Sequence, residues 1–222
     1  MAFGPIMQLQ VGDLKVELAP LTKDNMPEFI NPGMQQASVT RYLSRRSAPV
    51  LEDEQEWFER IREEKESLTW GIYVVESDER ILIGDTTLFD ITKNHIHQAT
   101  SGSMIFRHEY WGKGIASSIH KARTWYAFQH LGLHRIMSAV YQGNVASLKA
   151  LQKSGYDLVY IERNTSFIDG TLRHQDNLEC LNPNDPFWSQ WWHGERPPKH
   201  SLVARRQAVD ALKWASQNVR LL

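Results

Sequence analysis

The chain has 222 residues, 41% of them hydrophobic, and a formal net charge of −1. This length suits one large domain, or one domain with an appendage. The balanced charge argues against a nucleic-acid partner, which usually needs a basic surplus. No apolar run approaches the ~18 residues that cross a bilayer, so we expect no membrane partner. With the single cysteine Cys180, no internal disulfide can form, and we expect a cytoplasmic location.

Hydropathy patterns and turn residues predict a mixed order of helices and strands. Residues 1–12 indicate a loose arm or an edge strand. Capping residue types start a short helix at 22–25, and residues 31–33 break it. Apolar spacing predicts further helices at 51–66, 114–131, 144–154 and 201–219. Alternation predicts strands at 14–18, 70–75, 80–89, 99–106, 135–141, 156–161 and 172–181, with turns at 77–79 and 169–170.

The segment 107–116, which reads RHEYWGKGIA, contains the most informative motif. Gly112 and Gly114 flank Lys113 between a predicted strand and a predicted helix. Glycine permits a tight turn and lets backbone N–H groups approach a ligand. The N-terminus of the next helix adds its dipole and its unpaired donors, which favour phosphate. The segment therefore predicts a pyrophosphate cradle, with an ordinary loop as the alternative.

Four segments together give the chain a resemblance to a known family. They read VTRYL at 39–43, EYWGKGIA at 109–116, LGLHRI at 131–136, and NVAS at 144–147 with KSGY at 153–156. In order and spacing they resemble the GNAT N-acetyltransferases, in the branch of the ribosomal-protein alanine N-acetyltransferases RimJ and RimL. The resemblance spans roughly residues 14–182 and does not cover the tail.

The resemblance implies a mixed α/β fold and a co-substrate, acetyl-CoA, with a primary amine as the acceptor. The central, mostly antiparallel sheet would be flanked by helices and splayed between the fourth and fifth core strands. It also implies a set of backbone and side-chain positions for acetyl-CoA. These are Met104, Ile105 and Phe106 for the pantetheine arm, Trp111, Gly112, Lys113, Gly114, Ile115 and Ala116 for the pyrophosphate, and Asn144 with Ser147.

Ser147 is the residue that the resemblance places near the departing thiolate. A serine three residues after Asn144 also suits the first turn of a helix, which Asn144 would cap. RimI-like relatives carry a glutamate base and a tyrosine acid at positions that here hold Ala139 and Leu151. Neither side chain can move a proton, so this acid–base pair is missing.

Two carboxylates are the leading candidates for the general base. Asp85 follows a glycine in a central strand, where a carboxylate usually faces a cleft or solvent. Glu179 lies between apolar neighbours in the last core strand, and partial burial can raise the pKa of a carboxyl group. His174 and Asp176 are alternative bases. A water relay to solvent is a further alternative, because an α-amine has a pKa near ~8 and needs little assistance to lose its proton at neutral pH.

Other reactive side chains are interpreted as structural. His95 and His97 have a spacing that can bind a metal, but they fall in a predicted turn without further ligands, so we expect no metal site. Cys180 lies in a strand-like segment between leucines and is expected to be a small buried hydrophobic residue.

The acceptor is predicted to be a peptide or protein N-terminus, with a small amine such as an antibiotic, a polyamine or an amino-acid derivative as the alternative. The expected acceptor groove at 34–47 carries Arg41, Arg45 and Arg46 and no acid, which favours a neutral or acidic acceptor. A different class of function is a non-catalytic acyl-CoA-binding module, which would bind CoA without turnover. A nucleotide hydrolase is excluded, because the chain lacks the phosphate-binding loop of that class.

The composition changes after residue 182. We therefore predict a GNAT domain at 1–182 and a Trp-rich helical extension at 183–222, packed on the domain or on a partner. The extension contains Trp188, Trp191, Trp192 and Trp214. These aromatic residues either dock the tail onto the domain, or form a lid or the dimer surface of a homodimer.

Overall fold

The computed structural model describes residues 2–43, 47–77 and 79–222. The fold is mixed α/β, with a mostly antiparallel sheet flanked by helices, as predicted. The strands are β1 (Met7–Val11), β2 (Leu14–Ala19), β3 (Leu68–Glu76), β4 (Glu79–Thr92), β5 (Gln98–Ile105), β6 (Arg135–Tyr141), β7 (Asp157–Ile168), β8 (Thr171–Leu181) and β9 (Val219–Leu221). The helices are α1 (Met26–Glu28), α2 (Ala37–Thr40), α3 (Leu51–Glu63), α4 (Ile115–Gln129), α5 (Val145–Gln152), α6 (Phe187–Trp192) and α7 (Lys199–Asn218).

The chain separates into two compact units. The first comprises Met1–Asp90, Ser101–Ile115 and Val219–Leu222, and the second comprises Ile91–Thr100 and Ala116–Asn218. These divisions fall elsewhere than the predicted boundary after residue 182, which stays a prediction.

The strands of the first unit run in the order β9-β1-β2-β3-β4, and each neighbouring pair is antiparallel. The prediction of a loose arm or an edge strand at 1–12 is wrong, because β1 lies between β2 and β9. The reason is that β9 has only three residues, too few to show a periodicity. The turn predicted at 77–79 contains Asp78, which lies outside the described residues.

The core of the first unit holds α3 against the strands. Helix α3 begins where the carboxylate of Asp53 accepts a hydrogen bond from the Val50 N–H at 3.0 Å, which satisfies a donor at the helix start. Phe58 on α3 is buried with side chains from β2, β3, β4 and the irregular turn Phe29–Met34. This core is formed by Ala19, Leu21, Met26, Phe29, Met34, Val39, Phe58, Tyr73, Leu82 and Phe106.

The strands of the second unit run in the order β5-β6-β8-β7, where β5 contributes its first residues. β8 pairs antiparallel with both β6 and β7. β5 and β6 are parallel, and their register joins Gln98 to Arg135, Ala99 to Ile136 and Thr100 to Met137. This register covers the first three residues of both strands, and the splay between them stays a prediction.

Within the second unit, the tail contacts the strands and helices that precede it. The guanidinium of Arg205 lies 4.7 Å from the ring centroid of Trp188, and the ammonium of Lys121 lies 5.0 Å from that of Trp214. α7 approaches Gly155 so closely that an added Cβ would lie 2.5 Å from the Cβ of Ala208. Contacts of this kind are the ones expected if the tail docks onto the rest of its own chain.

Candidate active site

The first unit contains a cavity of about 600 Å³ that is lined by α3, the turn Phe29–Met34 and the strands β3, β4 and β5. Asp85, Thr87 and Phe89 recur at every second position of β4, so they share one face of the strand. Thr69 on β3 faces Thr87 in register, and their hydroxyl oxygens lie 3.1 Å apart. Asp85, Thr87 and Thr69 form a polar floor of the pocket, and Trp57 on α3 supplies an aromatic wall.

The lining of this pocket is rich in carboxylates. Among the described residues it contains Glu54, Glu64, Asp85 and Asp90, together with one guanidinium, that of Arg60. Acidic groups in a partly enclosed space favour a cationic guest. An alkylammonium ion is such a guest, so the pocket suits an amine acceptor.

This lining differs from the groove predicted at 34–47. Of the described residues in that segment, Met34 and Leu43 line the pocket. Arg45 and Arg46 lie outside the described residues. The carboxylates of the pocket come from outside the segment 34–47, because α3 contributes Glu54 and β4 contributes Asp85.

Asp85 and Met104, two predicted site residues, both line the pocket. The backbones of β4 and β5 approach closely here, since a Cβ on Gly84 would lie 1.9 Å from the carbonyl oxygen of Met104. Glycine is therefore required beside Asp85, and it brings the carboxylate-bearing strand against the end of β5. The structure thus brings the candidate base to the strand that the resemblance assigns to the pantetheine arm.

The end of β5 is held by three local contacts. The N–H of Phe106 donates to the carbonyl of Ile83 at 2.9 Å, and the indole N–H of Trp111 donates to the carbonyl of Ile105 at 2.8 Å. Phe106 is fully buried, and its ring meets the edge of Phe29 at 5.5 Å. Successive N–H groups point to opposite edges of a strand, so the Ile105 N–H points away from β4. Ile105 is thereby the better placed of the two for a ligand.

The loop after Trp111 contains two glycines with a left-handed backbone conformation. Gly112 and Gly114 have φ values of +74° and +83°, which side chains other than glycine adopt only with strain. The described residues leave open space around the Cβ position of Gly112, and the loop is exposed up to the buried Ile115. α4 begins there, and the first N–H groups of a helix have no partner within it. These residues fit the diphosphate of CoA, while the ammonium of Lys113 lies 5.3 Å from the ring centroid of Tyr110.

In the second unit, Asn144 and Ser147 form the start of α5. The side-chain oxygen of Asn144 accepts a hydrogen bond from the Ser147 N–H at 3.3 Å, so the predicted helix cap is confirmed. Ser147 is half-buried in the first turn, at the third helical position. Its assignment to the thiolate stays a prediction.

Glu179 lies on β8 in the second unit, where Arg135 pairs with it at 3.4 Å. Burial raises the pKa of Glu179, and the nearby guanidinium of Arg135 opposes this shift. The raised pKa matches the expectation from its apolar neighbours. Its role as a base stays a prediction, and the ion pair gives the carboxylate a structural function.

Cys180 and the histidines have structural surroundings. Cys180 is fully buried, as predicted, and burial raises the pKa of its thiol. His97 stacks on His134 with ring centroids 4.7 Å apart. Within residues 2–43, 47–77 and 79–222, no group of three or more His, Cys, Asp or Glu side chains could hold a metal ion. The described helices include none that is both long and apolar enough to cross a membrane.

Sequence reasoning missed Glu54, Ser67, Thr69 and Thr87 in the pocket. A signal existed, because Ser67 and Thr69, like Asp85 and Thr87, are two residues apart and therefore share a strand face. The pairing of the two strands, which brings these polar faces together, could not be read from either segment alone.

Comparison with known proteins places this geometry in a family. The family described as the acetyltransferase (GNAT) domain matches residues 15–157. The probable N-acetyltransferase YjcK of Bacillus subtilis is 35% identical over 130 residues, which cover 59% of this chain and 70% of that protein.

Two solved structures share the fold. A spermidine N-acetyltransferase from Vibrio cholerae in complex with CoA and spermine has a TM-score of 0.67 at 19% identity, over 75% of this chain and 95% of the other. Mycobacterium smegmatis RimJ in complex with CoA-disulfide has a TM-score of 0.70 at 15% identity, and the match covers 99% of this chain and 97% of the other. The chain belongs to the GNAT acetyltransferase family, and it is an N-acetyltransferase.

Proposed function

We propose that the protein transfers the acetyl group of acetyl-CoA to a primary amine that binds in the pocket of the first unit. The observation that carries this proposal is the position of Asp85, which lines the pocket together with Met104 at the end of β5. An ammonium group beside this carboxylate would be held and oriented next to the strand that receives the pantetheine arm. Bound acetyl-CoA supplies the activated acyl group.

Groups of the protein itself would bind the diphosphate, polarise the thioester carbonyl, accept the proton of the ammonium and assist the departing thiolate. The N–H groups from Gly112 to Ala116 hold the diphosphate, which needs donors rather than a matching basic side chain, whereas the Trp111 N–H already donates to the carbonyl of His108 at 3.0 Å. The Ile105 N–H polarises the thioester carbonyl. Asp85 accepts a proton from the ammonium, directly or through water, and the hydroxyl of Ser147 assists the thiolate.

Two acceptor classes fit this proposal. The first is a peptide or protein N-terminal α-amine, the acceptor implied by the resemblance to the RimJ and RimL branch. The second is a small cationic amine, and the four carboxylates among the described pocket residues favour it. The spermine bound to the structurally similar Vibrio cholerae enzyme is consistent with this second class.

A thiol-release assay with acetyl-CoA, followed by mass spectrometry of each product, tests the proposal. The panel contains monoamines, diamines and short peptides with varied N-termini. We expect thiol release together with an acetylated amine for at least one class. Bound CoA without release on any acceptor would overturn the proposal.

The role of Ser147 is tested in the same assay with Ser147→Ala. We expect kcat to fall about tenfold while the Kd for CoA stays unchanged, because only the step that expels the thiolate loses a hydrogen bond. Ser216→Ala on the exposed side of α7 is the matched control. An unchanged kcat would assign Ser147 to the helix turn alone.

A further inference from the structure

Arg107 lies just after β5, and its side chain joins two other segments of the first unit. The Nε of Arg107 donates a hydrogen bond to the carbonyl of Leu82 on β4 at 2.8 Å. The Nη2 of the same guanidinium donates to the carboxylate of Glu28 at 2.9 Å. Leu82 lies shortly before Asp85 on β4, and Glu28 is the last residue of α1. One planar group therefore connects the end of β5, the strand of the candidate base and α1.

Glu28 is followed directly by the turn Phe29–Met34, which forms one wall of the pocket through Phe29 and Met34. The ring of Phe29 lies 5.3 Å from that of Trp57 and 5.5 Å from that of Phe106. Residues 31–33 depart from helical dihedral angles, so a continuous helix does not set the course of this turn. The position of the wall therefore depends on side-chain contacts and on the anchor at Glu28.

The contacts of Arg107 require a guanidinium. Its donors lie in a rigid plane and can serve two acceptors at once, whereas the ammonium of lysine is a point charge on a flexible stem. The side chains of Arg107 and Glu28 are 22% and 31% exposed, so their ion pair is partly shielded from water. Glu109 lies 3.7 Å from a further nitrogen of the same guanidinium, but its side chain is 59% exposed, and exposed pairs contribute little. The directed contacts of Arg107 are therefore those with Leu82 and Glu28.

We propose that Arg107 is a positioning residue for the acceptor amine, because its guanidinium holds the wall Phe29–Met34 against β4 and the end of β5. These strands carry the candidate base and the residues assigned to the pantetheine arm, so the wall determines how tightly an amine is held beside both. Arg107 acts through Glu28 and is not among the described residues that line the pocket. The backbone of Arg107 supports the loop without the side chain, since its carbonyl accepts the Tyr110 N–H at 3.1 Å. The inference rests on the proposed function, and it predicts that the side chain serves the amine and not CoA.

The test measures initial rates of thiol release with acetyl-CoA and the amine of the panel that has the highest kcat/KM in the parent protein. We expect Arg107→Gln to raise the KM for this amine about tenfold and Glu28→Gln about fivefold, since each variant loses a hydrogen bond between charged groups. The double variant should match Arg107→Gln, because the two residues act as one unit. Arg107→Lys should recover only part of the loss, and the Kd for CoA should stay unchanged throughout.

Arg62→Gln is the matched control, because Arg62 forms an exposed ion pair with Glu59 at 2.8 Å on α3. The KM of this variant for the amine should equal that of the parent protein. A thermal unfolding scan establishes that each variant is folded. If Arg107→Gln does not fold, Glu28→Gln decides the test alone, since it leaves the contact with Leu82 in place.

Three outcomes would contradict one or the other proposal. An unchanged KM in Arg107→Gln and Glu28→Gln, or a double variant that shows the product of both losses, would overturn the role of Arg107 while leaving the proposed function intact. A Kd for CoA that rises by the same factor as the KM for the amine would overturn it as well, since the side chain would then support the loop. Absence of thiol release with any amine in the parent protein would instead refute the proposed function.

Discussion

Carboxylates line cavities in both units, but the two cavities differ in how much space they leave. The pocket of the first unit has about 600 Å³, and Asp85 and Glu54 face it. The cavity of the second unit has about 10 Å³ and is lined by Asp157 and Glu179. Only the first has room for an amine, although both contain acidic side chains.

The second unit uses its carboxylates to hold its own tail and strands. Asp157 accepts a hydrogen bond from the Ser201 hydroxyl at 2.8 Å and lies 2.7 Å from a ring nitrogen of His200. Glu179 pairs with Arg135. Glu179 therefore contributes to packing beside a cavity that is too small for an amine, whereas Asp85 lines a cavity that has room for one. The comparison therefore favours Asp85 over Glu179 as the base.

The largest expected effect concerns the contact between the tail and the second unit. Gly155 has a φ of +91°, and an added Cβ would lie 2.5 Å from the Cβ of Ala208. Gly155→Ala should therefore lower the free energy of unfolding by about 3 kcal/mol, because backbone strain and overpacking act together. Urea-induced unfolding measures this loss.

Gly170→Ala is the matched control for Gly155→Ala. Gly170 also has a positive φ, of +73°, but none of the described residues approaches its Cβ position. Strain alone should cost about 1 kcal/mol there. Equal losses in the two variants would mean that the contact with α7 contributes nothing, and the description of the second unit as packing around its tail would fail.

The second prediction contrasts the two candidate bases. Asp85→Asn should lower kcat/KM for amine acetylation about 100-fold, because the amide can neither accept the proton nor hold the ammonium by charge. Glu179→Gln should change kcat/KM less than threefold, since its partner Arg135 is a structural group. Initial rates of thiol release measure both effects. A large loss in Glu179→Gln with little change in Asp85→Asn would instead identify Glu179 on β8 as the base, and it would contradict the contrast between the two cavities.

Short-range signals in the sequence predicted those parts of the site that depend on local geometry. The glycines at 112 and 114 are found in the left-handed conformation that a tight turn requires. Asn144 caps α5, because a cap depends only on residues within one helical turn. The ends of β6 were also predicted correctly, at 135 and 141.

Long-range pairing explains what the sequence could not predict. The pocket combines α3, the turn after α1 and three strands, so its residues come from segments that extend from Phe29 to Met104 along the chain. In the sequence, Glu54 looks like any charged residue in the first turn of a helix. Only the position of α3 in the structure shows that its side chain is buried and lines the pocket. β9 has three residues, and only its pairing with β1 identifies it as a strand.

The smallest expected effect is a pH dependence of stability that originates in the second unit. His120 on α4 is 4% exposed, and burial lowers its pKa well below the usual value, with the nearby Arg123 adding to the shift. The guanidinium of Arg123 donates to the Nδ1 of His120 at 3.0 Å, which requires that nitrogen to be unprotonated. The unfolded chain therefore binds a proton near pH ~6.5 that the folded chain excludes.

The sign of this dependence follows from the lowered pKa. Above pH ~6.5 both states are neutral at His120 and its contribution is constant, whereas below that pH protonation favours the unfolded chain by up to about 1.4 kcal/mol per pH unit. His120→Asn keeps a hydrogen-bond acceptor but does not titrate, so the thermal midpoint should fall less between pH 7 and pH 5 than in the parent protein. His95→Asn, at an exposed position, should leave the slope unchanged. If the His120 variant kept the parent slope but lost acetylation activity, this buried pair would serve the reaction rather than the packing of the second unit.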